Sequence, residues 1–95
     1  MSKYSVHGHD LYDSHDHRIA TVRGLALYDG NNQRVASIHG DELHDADDRI
    51  MATFRGSDIY DSSSMKVGSI SDVRESIRGA AEGMIYVAMW YCFVR

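Results

Sequence analysis

The chain has 95 residues, no proline and a single cysteine, and its formal net charge is −4 with histidines neutral. That length describes one thin-cored domain, for which oligomerisation is a common remedy. The acidic balance argues against general nucleic-acid binding, and Cys92 alone cannot form an internal disulfide.

The first residues, Met1-Ser2-Lys3-Tyr4-Ser5, lead into no apolar targeting segment, which predicts a cytoplasmic location. From Gly8 onward the sequence repeats in steps of sixteen, through Gly24, Gly40 and Gly56. Three positions after each glycine stands Leu11, Leu27, Leu43 or Ile59, followed by Tyr12, Tyr28, His44 or Tyr60 and then Asp13, Asp29, Asp45 or Asp61. Later in each unit come Ile19, Val35, Met51 and Val67, then the small residues Ala20, Ala36, Ala52 and Gly68. Hydroxyls follow at Thr21, Ser37, Thr53 and Ser69, and the unit closes on Val22, Ile38, Phe54 and Ile70.

Each unit reads as two short strands. The β-branched run is one, the Leu-Tyr-Asp run the other, and the glycine between them permits a tight hairpin turn. The second turn is built from Asp, Asn and Ser, whose side chains cap local amides. Isolated hairpins of this length are not stable, so the four must pack on one another. The expected fold is therefore mainly β. Four sixteen-residue hairpin units (8–23, 24–39, 40–55 and 56–71) form a closed, pseudo-fourfold array spanning 4–71. Tyr4–His7 completes the ring against the last unit, and the alanines crowd toward the axis.

The pattern breaks after Ser71. Ser71 reads as a helix cap, with Val73, Ile77, Ala80 or Ala81, and Met84 on one helical face. The run Met84–Val94 is apolar almost all round, so it must be buried or sit in lipid. It is shorter than the ~20 residues that span a bilayer. A strand over Tyr86–Val94 is the alternative to a helix there. Residues 72–94 are thus expected to form a C-terminal helix, packed on the array or in an oligomer interface through Met84, Val87, Ala88, Trp90 and Tyr91.

Four side chains share one phase of the repeat, just before each glycine: His7, Arg23, His39 and Arg55. In a closed array they make a basic rim that could hold an anion. His15-x-His17 sits among turn residues and lacks a metal-site framework. The Asp13/Asp29/Asp45/Asp61 set reads as turn caps and cross-strand ion pairs, and the tyrosines as packing. No catalytic, metal or cofactor motif emerges.

The repeated Gly-x-x-Leu/Ile-Tyr-Asp … Arg/Lys-Ile/Val-Ala/Gly-Thr/Ser-Val/Ile, followed by Asp72-Val73-Arg74-Glu75-Ser76-Ile77-Arg78-Gly79 and an apolar end, resembles the bacterial 4-fold β-flower family over about residues 4–94. The resemblance implies a small β array of fourfold pseudosymmetry, with no assigned activity and no functional residues to carry over. The chain departs from the pattern at His44 and around Arg49-Ile50. A weaker similarity is to the Tyr-Asp repeats of large shell-forming toxins. The expected function is a non-enzymatic binding or assembly module, most simply a homodimer. The alternatives are a peripheral membrane protein anchored by its apolar end and an anion or small-ligand binder at the His/Arg rim.

Overall fold

The computed structural model describes residues 3–81 and 83–95. Nine strands follow one another as neighbours in chain order: β1 (Tyr4–His7), β2 (Asp10–Tyr12), β3 (Arg18–Arg23), β4 (Ala26–Asp29), β5 (Arg34–His39), β6 (Glu42–Asp45), β7 (Ile50–Arg55), β8 (Asp58–Asp61) and β9 (Lys66–Ser69). Each pairs antiparallel with the next. Helix α1 (Ile70–Ser76) then leads to β10 (Ile77–Arg78), which lies parallel to β1. Helix α2 (Met84–Met89) runs on into a five-residue π-helical turn, Trp90–Val94.

Two turn chemistries alternate along the sheet. In the first, Gly8, Gly24, Gly40 and Gly56 take φ of 64°, 60°, 60° and 62° at the first central position of a two-residue turn. That conformation matches the twist of the strands it joins and costs a glycine little. In the second, one carboxylate oxygen each of Asp13, Asp29, Asp45 and Asp61 accepts from the backbone N–H groups two and four residues later. The residue three places on, Asp16, Asn32, Asp48 or Ser64, is left-handed at φ of 65–68°. Asp and Asn tolerate that conformation through local hydrogen bonds. The strand register shifts by one beside every such turn, a bulge that absorbs the extra residue. The third unit turns like the others, although Ile50 stands where the other units carry Arg18, Arg34 and Lys66.

One face of the sheet is the core. Leu11, Leu27, Leu43 and Ile59 are fully buried, and Ala20, Ala36 and Ala52 lie beside them. The same cluster takes in Val87, Ala88, Met89 and Trp90 from the helical tail. Burying each large side chain stabilises by roughly 1.5–3 kcal/mol, so the tail is an integral part of the fold. Small side chains leave room for it, most directly at Gly68, where an added Cβ would meet the Trp90 indole at 2.4 Å.

Three expectations are corrected. The sheet is not closed: β9 and β10 form its two ends, and β10, not the last hairpin, occupies the free side of β1. The cause is the early departure of the chain. Strand β9 stops at four residues, where β3, β5 and β7 have six, because Ser69 caps α1 and Ile70 opens it. Asp72 reaches back to accept from the Ser69 N–H at 2.9 Å, which moves the cap from Ser71 to Ser69. Second, 72–94 is not one helix. Ile77 pairs with Tyr4 as a strand residue, and Gly79 follows at φ 87° with its backbone close to Val6. The strand alternative for Tyr86–Val94 gives way to helix. Third, Val87, Ala88 and Trp90 turn into the chain's own core instead of lying on its surface. Met84 and Tyr91 are half-buried. Among the described residues no helix is long and apolar enough to cross a membrane.

Candidate functional site

Side chains alternate across a strand, so the residues flanking the buried ones face away from the core. On β5, Ala36 and Ile38 point inward, which turns Ser37 and His39 outward. On β6, Leu43 points inward, leaving Glu42 and His44 outward. Cross-strand pairing sets Ser37 opposite His44 and His39 opposite Glu42, so four polar side chains form one square. The neighbouring squares are Ser5/His7 with Asp10/Tyr12, Thr21/Arg23 with Ala26/Tyr28, and Thr53/Arg55 with Asp58/Tyr60.

Within each square the residue before the glycine reaches diagonally to the aromatic ring. The His7 ring meets Tyr12 edge-on at 5.4 Å. The guanidinium carbons of Arg23 and Arg55 lie 4.8 and 5.8 Å from the ring centres of Tyr28 and Tyr60. In the third unit the His39 and His44 rings are 4.1 Å apart and tilted by 40°. The left-handed turn residue also comes within reach: Arg23 donates to the Asn32 side chain, and His39 Nε2 lies 3.7 Å from Asp48 Oδ1.

The four rim residues His7, Arg23, His39 and Arg55 are exposed and in one row, as their phase predicts. They sit on every second strand, about 10 Å apart at ordinary strand spacing, too far to share one small anion. Across the strands His7, His39 and Arg55 face Asp10, Glu42 and Asp58, so the row carries mixed charge.

The third unit differs in chemistry. His44 Nδ1 lies 3.6 Å from Asp48 Oδ1, and His44 Nε2 lies 3.2 Å from Glu42 Oε1. His39 Nε2 is 3.1 Å from Ser37 Oγ. His39, His44 and Asp48 each bring one ligand-type atom, all within 4.8 Å of one another. The His44 side chain is only 16% exposed, and its Nδ1 is shut off from solvent with no hydrogen-bond partner among the described residues. Asp48 is held in place from its own turn, donating its N–H to the Asp45 carbonyl at 3.0 Å. The Asp45 carboxyl is itself held below the ordinary range, chiefly by the Arg49 amide. Asp13 is lowered in the same way, first by the His17 amide.

Reading the sequence for motifs missed this group. Its signal was present in the repeat alignment, where His44 replaces a tyrosine five residues after a rim histidine. His15 and His17 stay 6.4 Å apart, and His17 lies beside the Asp13 that caps its own turn. In the tail, burial pushes the Cys92 thiol up to about 11. No family model matches this chain, and neither does any curated protein or solved structure.

Proposed function

We propose that the chain is a non-enzymatic binding module of the β-flower type. In this reading four hairpin units surround a pseudo-fourfold axis, the helical tail seals their inner faces, and ligand is taken on the outer row. One observation carries it. Inward positions keep their type in every unit, whereas the outer trio changes: His7/Tyr12/Asp16, Arg23/Tyr28/Asn32, His39/His44/Asp48 and Arg55/Tyr60/Ser64. A constant interior with a varied exterior suits a scaffold that presents side chains.

A strand register that recurs every sixteen residues supports the pseudo-fourfold arrangement. The test is a pair of amide NMR titrations, one with zinc chloride and one with inorganic phosphate. Shifts clustered on the outer row with either probe uphold the reading. Shifts confined to α2 and Trp90–Val94, or none with both probes, overturn it.

Homodimer formation is a second reading, favoured by the half-buried Met84, Ile85, Tyr91 and Phe93 along the tail. A monomer mass by light scattering at high micromolar concentration overturns it.

A further inference from the structure

We infer that His39, His44 and Asp48 bind one divalent first-row transition-metal ion of the zinc class. The inference rests on the outer row being the binding face and narrows it to the third unit.

Geometry comes first. Bonds of about 2.0–2.1 Å to a tetrahedral ion place ligand atoms roughly 3.3–3.4 Å apart. His39 Nε2 and His44 Nδ1 stand 3.7 and 3.6 Å from Asp48 Oδ1, and all three donor atoms lie within 4.8 Å of one another. The two rings, 4.1 Å apart, swing apart by about 1 Å to share a tetrahedral ion. The backbone beneath is rigid: β5 and β6 are paired through Ser37↔His44 and His39↔Glu42, and the Asp45 carboxylate pins the turn that carries Asp48.

Protonation chemistry agrees. Glu42 lies at hydrogen-bond distance from His44 Nε2. A proton held on Nε2 by that contact would free Nδ1, the nitrogen nearer Asp48, to ligate a metal. A carboxylate behind an imidazole is the usual device for orienting a metal-binding histidine and raising its basicity. A solvent-excluded ring nitrogen with no hydrogen-bond partner among the described residues is unfavourable, and metal coordination would satisfy it. Two imidazoles and one carboxylate suit zinc, copper or nickel over calcium and magnesium, which prefer all-oxygen sets. His39 and Asp48 are exposed at 51% and 71%, so coordination positions remain open on the solvent side.

The repeat supplies its own control. The same three positions hold His7/Tyr12/Asp16, Arg23/Tyr28/Asn32 and Arg55/Tyr60/Ser64, none of which offers two imidazoles and a carboxylate. Stacking alone is already achieved by Arg23 on Tyr28 and Arg55 on Tyr60. It gives no reason for the change from tyrosine to histidine at His44.

Calorimetric titration of the untagged chain with zinc chloride at pH 7.5 tests this, alongside the absorption spectrum with cobalt(II). One equivalent of zinc should bind, with a cobalt spectrum of low coordination number. His44→Tyr restores the residue of the other units and should weaken binding at least about a hundredfold; Glu42→Gln should weaken it about tenfold. His15→Asn/His17→Asn should leave binding unchanged. A thermal melt checks folding, and Asp48→Asn, matching Asn32, serves if His44→Tyr unfolds. Equal zinc affinity in wild type and His44→Tyr, or binding lost with His15→Asn/His17→Asn instead, overturns the inference. If zinc fails while phosphate still shifts outer-row resonances, only the metal assignment falls; if both fail, the binding-face reading falls with it.

Discussion

The Trp90 indole lies over Gly68, so close that a methyl group on that backbone would come within 2.4 Å of ring carbon Cη2 and 3.1 Å of Cζ2. The other units carry Ala20, Ala36 and Ala52 at this position. The break in the repeat is therefore steric: the last unit gives up its methyl group to seat the tail. Gly68 has no positive φ, so its backbone alone would accept alanine.

Gly68→Ala, a change toward the repeat consensus, should destabilise by about 1–3 kcal/mol through overpacking. Trp90 is the chain's one tryptophan, so its emission should shift to the red as the ring is displaced. Pairing Gly68→Ala with Trp90→Leu should cost less than the sum of the two single changes. Additive losses in urea melts would show that the two residues do not meet.

Ser64 holds a left-handed conformation that the equivalent positions assign to Asp16, Asn32 and Asp48. Serine is the poorest of these at positive φ. Ser64→Asn should raise stability by about 0.5 kcal/mol, measured as a higher urea midpoint at unchanged slope. A neutral or lower midpoint counts against the turn argument.

Asp13 and Asp45 ionise below their ordinary 3.8 because turn amides donate to their carboxylates. A group lowered on folding contributes stability that is complete above its unfolded value and lost as pH falls through its folded one. The urea midpoint should therefore decline below about pH 3.8 through these two groups. Asp13→Asn/Asp45→Asn keeps the acceptor oxygens and removes the titration, so it should flatten that decline. An unchanged pH profile in the double variant would assign the acid sensitivity elsewhere.

Cys92 is pushed up to about 11 by burial, against an ordinary 9.0. At pH 8 its thiolate is roughly a hundredfold scarcer than in an unfolded chain. Modification by a disulfide reagent should be slow in buffer and fast in urea. Comparable rates in the two conditions would mean the tail is not docked.

The hairpins were legible because each unit repeats both its turn chemistry and its alternation. Gly8 and Asp13 mark the two turns of one unit, and Leu11 and Ala20 mark its inner face. The tail was legible only as helical and apolar. Its break at Ile77 depends on a partner strand, Tyr4–His7, more than seventy positions away, and periodicity within a helix window cannot register so distant a pairing. The cap moved from Ser71 to Ser69 because strand and helix compete for the same residues. The histidine group was hidden for a related reason. His39 and Glu42 meet across a turn, as do His44 and Asp48 across the next, so the set converges only after the register is known.

The two open ends of the sheet, at β9 and β10, bear on how the chain behaves at high concentration. Among the described residues every other strand has neighbours on both sides. A second molecule seeking to add itself to the sheet finds a four-residue stub and a two-residue stub, with α1 lying against both. Short docking ladders of this kind are poor seeds for fibrils, so the brevity of the two open ends works against strand-by-strand growth from one molecule to the next.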